Sequence, residues 1–183
     1  QNPLIINDIK QFIFIHNPKC AGTSFRTALD SYDTTGRLFA RIDNWNGYQV
    51  ETTHLPLFMM QVRFPEYFRK FDSYFSFMAV RNPFARFLSG FNEVNQETYA
   101  EYVQSGDVSR YRHEVNRFAL DMPAEAIRGW DFNYRHFVRQ ADFAYLGRKN
   151  LVDVIIRIDE QDKGLDKVAL FDPEVAARLR EAP

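Results

Sequence analysis

Lys19, Gly22, Thr23 and Ser24 stand close together in HNPKCAGTS, directly after the apolar run Phe12 to Ile15. An ammonium group, a glycine that admits close approach to the backbone and two hydroxyls on one turn can together hold an oxyanion. A second set follows in AVRNPFARFLSGF, where Arg81 offers a fork of N–H donors suited to phosphate. Ser89, about two turns into the following helix, adds a hydroxyl, so that guanidinium and hydroxyl can close on one phosphate from two sides. Between the two sets lies His54, in TTHLPLF, a side chain able to take up a proton near neutral pH.

The elements that must position these groups are legible in the hydrophobic pattern. Phe12 to Ile15 is a β-type run, and Phe25, Ala28, Leu29 and Tyr32 recur at i, i+3, i+4 and i+7, which predicts strand, loop and helix in succession. The first amides of such a helix have no internal partner and its dipole adds partial positive charge, so the loop suits an anion. On the loop alone two readings stand open. Either Lys19, Cys20, Ala21, Gly22, Thr23 and Ser24 surround an anion, or Thr23 or Ser24 only caps the helix and Lys19 is solvated.

Ser73 to Val80 predicts a second strand, stopped by Asn82 and Pro83, after which Phe84, Phe87, Leu88 and Phe91 resume helical spacing. Pro83 suits a first helical turn, where its missing N–H costs nothing. Thr34 to Thr53 reads as loop with a short strand near Tyr48 to Thr52, helix is expected from Thr98 to Leu120 with a break near Gly106, and VDVIIRI predicts a third strand. This alternation implies a single α/β domain over residues 1–183, a three-layer P-loop-like fold with a mostly parallel central sheet flanked by helices.

A chain of 183 residues with eighteen phenylalanines has ample material for a core. Its net charge of −1 gives no general attraction to nucleic acid or an anionic membrane, so any anion must be caught locally. No apolar run is long enough to span a bilayer. The lone Cys20 excludes an internal disulfide, and no Asn-x-Ser/Thr triplet is present. These features favour a cytoplasmic protein, while the start at Gln1 leaves a trimmed or mature end as the alternative.

The loop departs from the Walker pattern GxxxxGK[ST], which sets its lysine immediately before the hydroxyl residue that binds magnesium. Gly22 occupies that place here, the lysine leads the loop, and the second strand ends in Arg81 rather than an acidic residue. Magnesium-dependent chemistry on a nucleoside triphosphate is thereby disfavoured.

PKCAGTS and RNPFARFLS together resemble the two signature elements of the sulfotransferase superfamily, PK[TS]xGT[ST] and R[DN]PxxRxxS, in its membrane-type and carbohydrate-directed branch, sulfotransferase family 2, with bacterial relatives. YRHFVRQADFAYLG and VDVIIRIDE are similar to the later H-F-x-x-Q and strand-then-acidic elements of that family. The resemblance implies a co-substrate, 3′-phosphoadenosine-5′-phosphosulfate, and no metal. It implies that residues Lys19, Cys20, Ala21, Gly22, Thr23 and Ser24 cradle the 5′-phosphosulfate and that Arg81 and Ser89 bind the 3′-phosphate. The expected partner is a hydroxyl-bearing acceptor, a carbohydrate or small glycoside, rather than nucleic acid.

Lys19 would then stabilise charge growing on the leaving oxygens, and a base would take the acceptor proton. Relatives that sulfate glycans at the 2-O position place a histidine base where His54 stands; the alternative is a structural loop histidine. Glu51 and Glu66 are nearby carboxylates able to share or replace that role; the favoured reading for each is an ordinary surface acid. His16 reads as facing the core or capping its strand, His113 as solvated, and Arg86 as structural. Trp45, Tyr48 and Trp130 are candidates to line an acceptor pocket. Cys20 stands where relatives carry Thr or Ser and reads as an oxidation-sensitive thiol or a small buried filler. Two other functions fit the same residues: a magnesium-dependent nucleotide phosphotransferase with a variant loop, and a noncatalytic nucleotide-binding domain.

Overall fold

All four residues of Phe12–Ile15 are buried, which requires that both faces of the sheet be covered. The computed structural model has this arrangement; it describes residues 4–128 and 131–182, with only the backbone of residues 22, 23, 125 and 127. Trp130 lies outside the described residues. In chain order the elements are β1 (Ile5–Asn7), β2 (Phe12–Ile15), α1 (Gly22–Leu29), β3 (Ile42–Trp45), β4 (Tyr48–Glu51), α2 (Leu57–Arg63), α3 (Pro65–Phe68) and β5 (Phe75–Val80). They continue with α4 (Pro83–Val94), α5 (Gln96–Ser105), α6 (Val108–Asp121), β6 (Tyr145–Leu146), β7 (Lys149–Asn150), β8 (Val154–Arg157), α7 (Gln161–Phe171) and α8 (Pro173–Arg180).

The central sheet runs β1-β2-β5-β8, with β2, β5 and β8 parallel and β1 antiparallel at the edge. Alternation along β2 feeds two cores. Phe12 and Phe14 pack with Phe77, Phe25 and Leu29 of α1, Leu165 and Val168 of α7, and Val175 of α8. Ile13 and Ile15 face the opposite way, onto Leu57, Met59 and Met60 of α2 and onto Trp45 and Val50 of the β3–β4 hairpin. Each such side chain contributes about 1.5–3 kcal/mol when fully buried. Helices α1, α7 and α8 thus cover one face, and α2 with the hairpin covers the other. The predicted α/β architecture is therefore correct.

The sequence reading did not anticipate α2, α3 or the β6–β7 pair, and two further strands differ from it. β1 was not expected, because three residues are too few to give a period; it forms by pairing Ile5 with Phe14 across a tight connection. The predicted strand near Tyr48 is one arm of a hairpin whose other arm, Ile42–Trp45, is largely solvent-facing and so lacks an apolar signal. Among the described residues, no helix is long and apolar enough to cross a membrane.

Candidate active site

β2 delivers the chain to His16, Asn17 and Pro18, all buried, and a turn at residues 19–21 leads into α1. Lys19 and Ala21 adopt left-handed backbone, with φ of 62° and 54°. That conformation costs a non-glycine residue roughly 1–2 kcal/mol, so surrounding contacts must hold it. Asn17 Nδ2 donates to the Ala79 carbonyl at 3.0 Å and to Gln140 Oε1 at 3.1 Å, and lies 3.2 Å from Cys20 Sγ. Arg86 Nε donates to the Pro18 carbonyl at 2.9 Å from beneath. Ala21 stands at the N-cap of α1 and makes no side-chain cap bond, and the first amides of the helix have no intrahelical acceptor.

The parallel register pairs Ile15 with Met78, so β2 and β5 release their chains at the same edge of the sheet. This is why the Lys19 turn and Arg81 become neighbours. At the end of β5, Asn82 accepts from the amides of Phe84 (3.0 Å) and Ala85 (3.2 Å), and Pro83 occupies the first turn of α4. Gly90 of α4 has no Cβ, and one placed there would sit 3.1 Å from the Phe137 ring and 3.4 Å from His136 Cβ. The missing side chain lets the His136–Phe137 segment lie close against α4.

These elements enclose a cavity of about 250 Å³. Lys19 and Ala21 come from the turn, Arg81 from the end of β5, and Ser89 and Glu93 from α4; His16, His54 and His136 complete the lining. The three histidines form a cluster, with the His16 and His54 ring centres 4.4 Å apart and those of His54 and His136 5.7 Å apart. Lys19 Nζ is ion-paired with Glu93 Oε2, and Glu93 Oε1 lies 3.8 Å from His136 Nδ1.

The protonation of this cluster follows from its contacts. His54 Nδ1 lies 3.0 Å from the His16 carbonyl oxygen. A carbonyl only accepts, so Nδ1 carries the proton and Nε2 the lone pair. Burial, reinforced by repulsion from His16, His136 and Arg135, holds the His54 pKa well below the ordinary histidine value of 6.5. His136 is pushed down to about 4, chiefly by burial and then by Arg135, against an opposing pull from Glu93. For Glu93, burial acts upward but is outweighed by the hydrogen bond from Lys19 and by the charges of His136 and Arg135, so its carboxyl stays below the usual range. At neutral pH His54 and His136 are thus neutral and Glu93 is a carboxylate.

Of the residues selected from sequence, Lys19, Ala21, His54, Arg81 and Ser89 line this one cavity. Cys20 and Ser24 do not; the Cys20 thiol is fully buried beneath the turn, 3.2 Å from Gln140 Oε1. Burial raises its pKa to about 11, which removes the reading of an oxidation-sensitive thiol and leaves the buried filler. Gly22 and Thr23 open α1 by their backbone, and their side chains, including the Thr23 hydroxyl, lie outside the described residues. Glu51 is not a surface acid: it is buried and ion-paired with Arg135. Glu66 and His113 are exposed, as expected.

Four contributors escaped the sequence reading. His16 does not merely face the core but lines the cavity, as do His136 and Glu93. Gln140 joins Asn17, Cys20 and Arg81 through its side-chain amide. The resemblance of YRHFVRQ to H-F-x-x-Q was the available signal for His136 and Gln140; Glu93 had none.

Neither the curated proteins nor the solved structures gave a match to this chain. The model of the sulfotransferase family matches residues 2–168, spanning both the Lys19 turn and the Arg81 element. The chain therefore belongs to the sulfotransferase family and is a sulfotransferase by that membership.

Proposed function

We propose that this sulfotransferase moves a sulfuryl group from 3′-phosphoadenosine-5′-phosphosulfate to a hydroxyl of a carbohydrate or small glycoside, without a metal. The observation that carries the reading is the shared cavity: Lys19, Arg81 and Ser89, from two distant segments, line it together with His54. An ammonium, a guanidinium, a hydroxyl and the open start of a helix are a donor set that fits two separate anionic groups.

The bound donor supplies the reactive sulfate–phosphate anhydride. Lys19 and the backbone of residues 20–24 would hold its 5′ end, and Arg81 with Ser89 its 3′-phosphate. To do so Lys19 exchanges the Glu93 carboxylate for the incoming anion. Its charge then counts most where negative charge grows on the leaving oxygen, in the transition state more than the ground state. His54 Nε2 accepts the proton of the acceptor hydroxyl, while the Nδ1–H bond to the His16 carbonyl fixes the ring and its tautomer. Arg81 and Ser89 contribute position, which converts the encounter into an oriented one.

Transfer of labelled sulfate from the donor to saccharide acceptors, in the presence of a chelator, tests this. The expected result is labelled saccharide with the native chain and a loss of about 10²–10³-fold in Lys19→Ala. Failure with every hydroxyl acceptor, together with phosphate transfer from ATP and magnesium, would overturn it.

A further inference from the structure

Beyond Glu93 the molecule has a second, larger cavity of about 440 Å³. Glu93 lines both cavities, so the two adjoin at this residue. The second cavity is furnished differently. Phe118, Phe132 and Tyr134 contribute aromatic residues to its lining, and Gln96, Asn133 and Asn95, whose Nδ2 donates to the Phe91 carbonyl at 3.1 Å, contribute primary amides.

Arg135, also in the lining, has its charge already committed. Its Nε is ion-paired with the buried Glu51, its Nη1 donates to the Phe132 carbonyl at 2.7 Å, and its guanidinium lies 3.8 Å from the centre of the Phe132 ring. Among the described lining residues an acidic ligand would therefore find no unmatched cation. A primary amide both donates and accepts, which matches a hydroxyl group that does the same, and aromatic rings suit the C–H faces of a sugar ring.

Building on the sulfotransfer reading above, we propose that this second cavity is the acceptor subsite and that it selects an uncharged sugar, seated with one hydroxyl toward Glu93 at the junction with the donor cavity. The aromatic residues carry the ring, the amides read its hydroxyls, and the lack of an uncommitted cation among the described lining residues disfavours uronates and sulfated sugars.

Titration of the full chain, first alone and then with 3′-phosphoadenosine-5′-phosphate, by ligand-observed NMR and calorimetry tests this. The probes are cellobiose and lactose, a glucuronate-containing disaccharide, and p-nitrophenol. The neutral disaccharides are expected to bind more tightly than the acidic one or the phenol. Their affinity is expected to fall at least tenfold in Tyr134→Leu and in Asn133→Ala, with nucleotide affinity unchanged. Asn133 is exposed, so Asn133→Ala keeps the test in force if Tyr134→Leu fails to fold. Tighter binding of the uronate or the phenol, no neutral-sugar binding, or neutral-sugar binding indifferent to the substitutions would overturn the proposal. Because the sugar titration is read without nucleotide, loss of nucleotide binding alone would count against the donor reading and not against this subsite.

Discussion

Gln140 grips the backbone of Arg81 from both sides: its Oε1 accepts from the Arg81 N–H at 3.0 Å and its Nε2 donates to the Arg81 carbonyl at 2.8 Å. The same Oε1 also receives Asn17 Nδ2 at 3.1 Å. One amide therefore ties the end of β5 to the turn that carries Lys19, and fixes the relative placement of the two proposed anion sites. In Gln140→Glu the acceptor is kept, but an oxygen replaces the Nε2 donor opposite the Arg81 carbonyl. We expect nucleotide affinity to fall about tenfold and stability to fall by about 1–2 kcal/mol, read by calorimetry and urea unfolding. Unchanged affinity would show that Arg81 is placed without this clamp.

The histidines predict a pH dependence with a definite sign. A base must be neutral to act, and His54 stays neutral well below 6.5 because of its burial. The pH–rate profile for transfer is therefore expected to be level from pH 8 through 6.5 and to decline only in more acidic solution, with His54→Ala losing about 10²–10⁴-fold at every pH. A decline centred at 6.5 would place the base on a solvated histidine.

Stability follows the same groups. An unfolded histidine takes up its proton near 6.5, whereas His136, faced by Arg135, Lys19, Arg86 and Glu93, does so only near 4. Below 6.5 the unfolded chain thus binds a proton that the folded chain does not, and stability is lost as pH falls toward 4, by about 3 kcal/mol from this residue. Above 6.5 it contributes no slope. Urea unfolding between pH 4 and 8 should show this, with a shallower acid limb in His136→Gln.

Cys20 is expected to resist thiol reagents in the folded chain. It is fully buried, and burial lifts its pKa to about 11, so almost no thiolate is present at neutral pH. Reaction with a disulfide reagent should proceed only at the rate of unfolding, and 3′-phosphoadenosine-5′-phosphate should leave that thiol equally silent. Rapid native labelling would contradict the buried geometry.

Much of the fold was legible because burial on both faces leaves a continuous apolar run, as in Phe12–Ile15, or one broken only by Ser76, as in Phe75–Val80, and because Asn82 and Pro83 announce the start of α4 by local chemistry. The β1 strand was not, since three residues carry no period. The two anion elements could be read from their residue types, yet their meeting depends on the pairing of Ile15 with Met78, a relationship across 63 positions that no local pattern encodes. His16 misled for a related reason. It follows four fully buried residues and is itself only 5% exposed, so local context points to the core, while its contact with His54 is set by how the hairpin and the following turn dock on the sheet. Glu93 looked like any helical acid, because only the folded chain brings Lys19 to it.

The most direct measurement is the affinity of 3′-phosphoadenosine-5′-phosphate, with chelator present, compared with adenosine 5′-phosphate and with ATP plus magnesium, for the native chain and Arg81→Ala. The account predicts that the doubly phosphorylated nucleotide binds most tightly, needs no metal, and loses its advantage over adenosine 5′-phosphate when Arg81 is removed. Equal affinity for the two adenosine nucleotides in the native chain, or an advantage that survives Arg81→Ala, would contradict it.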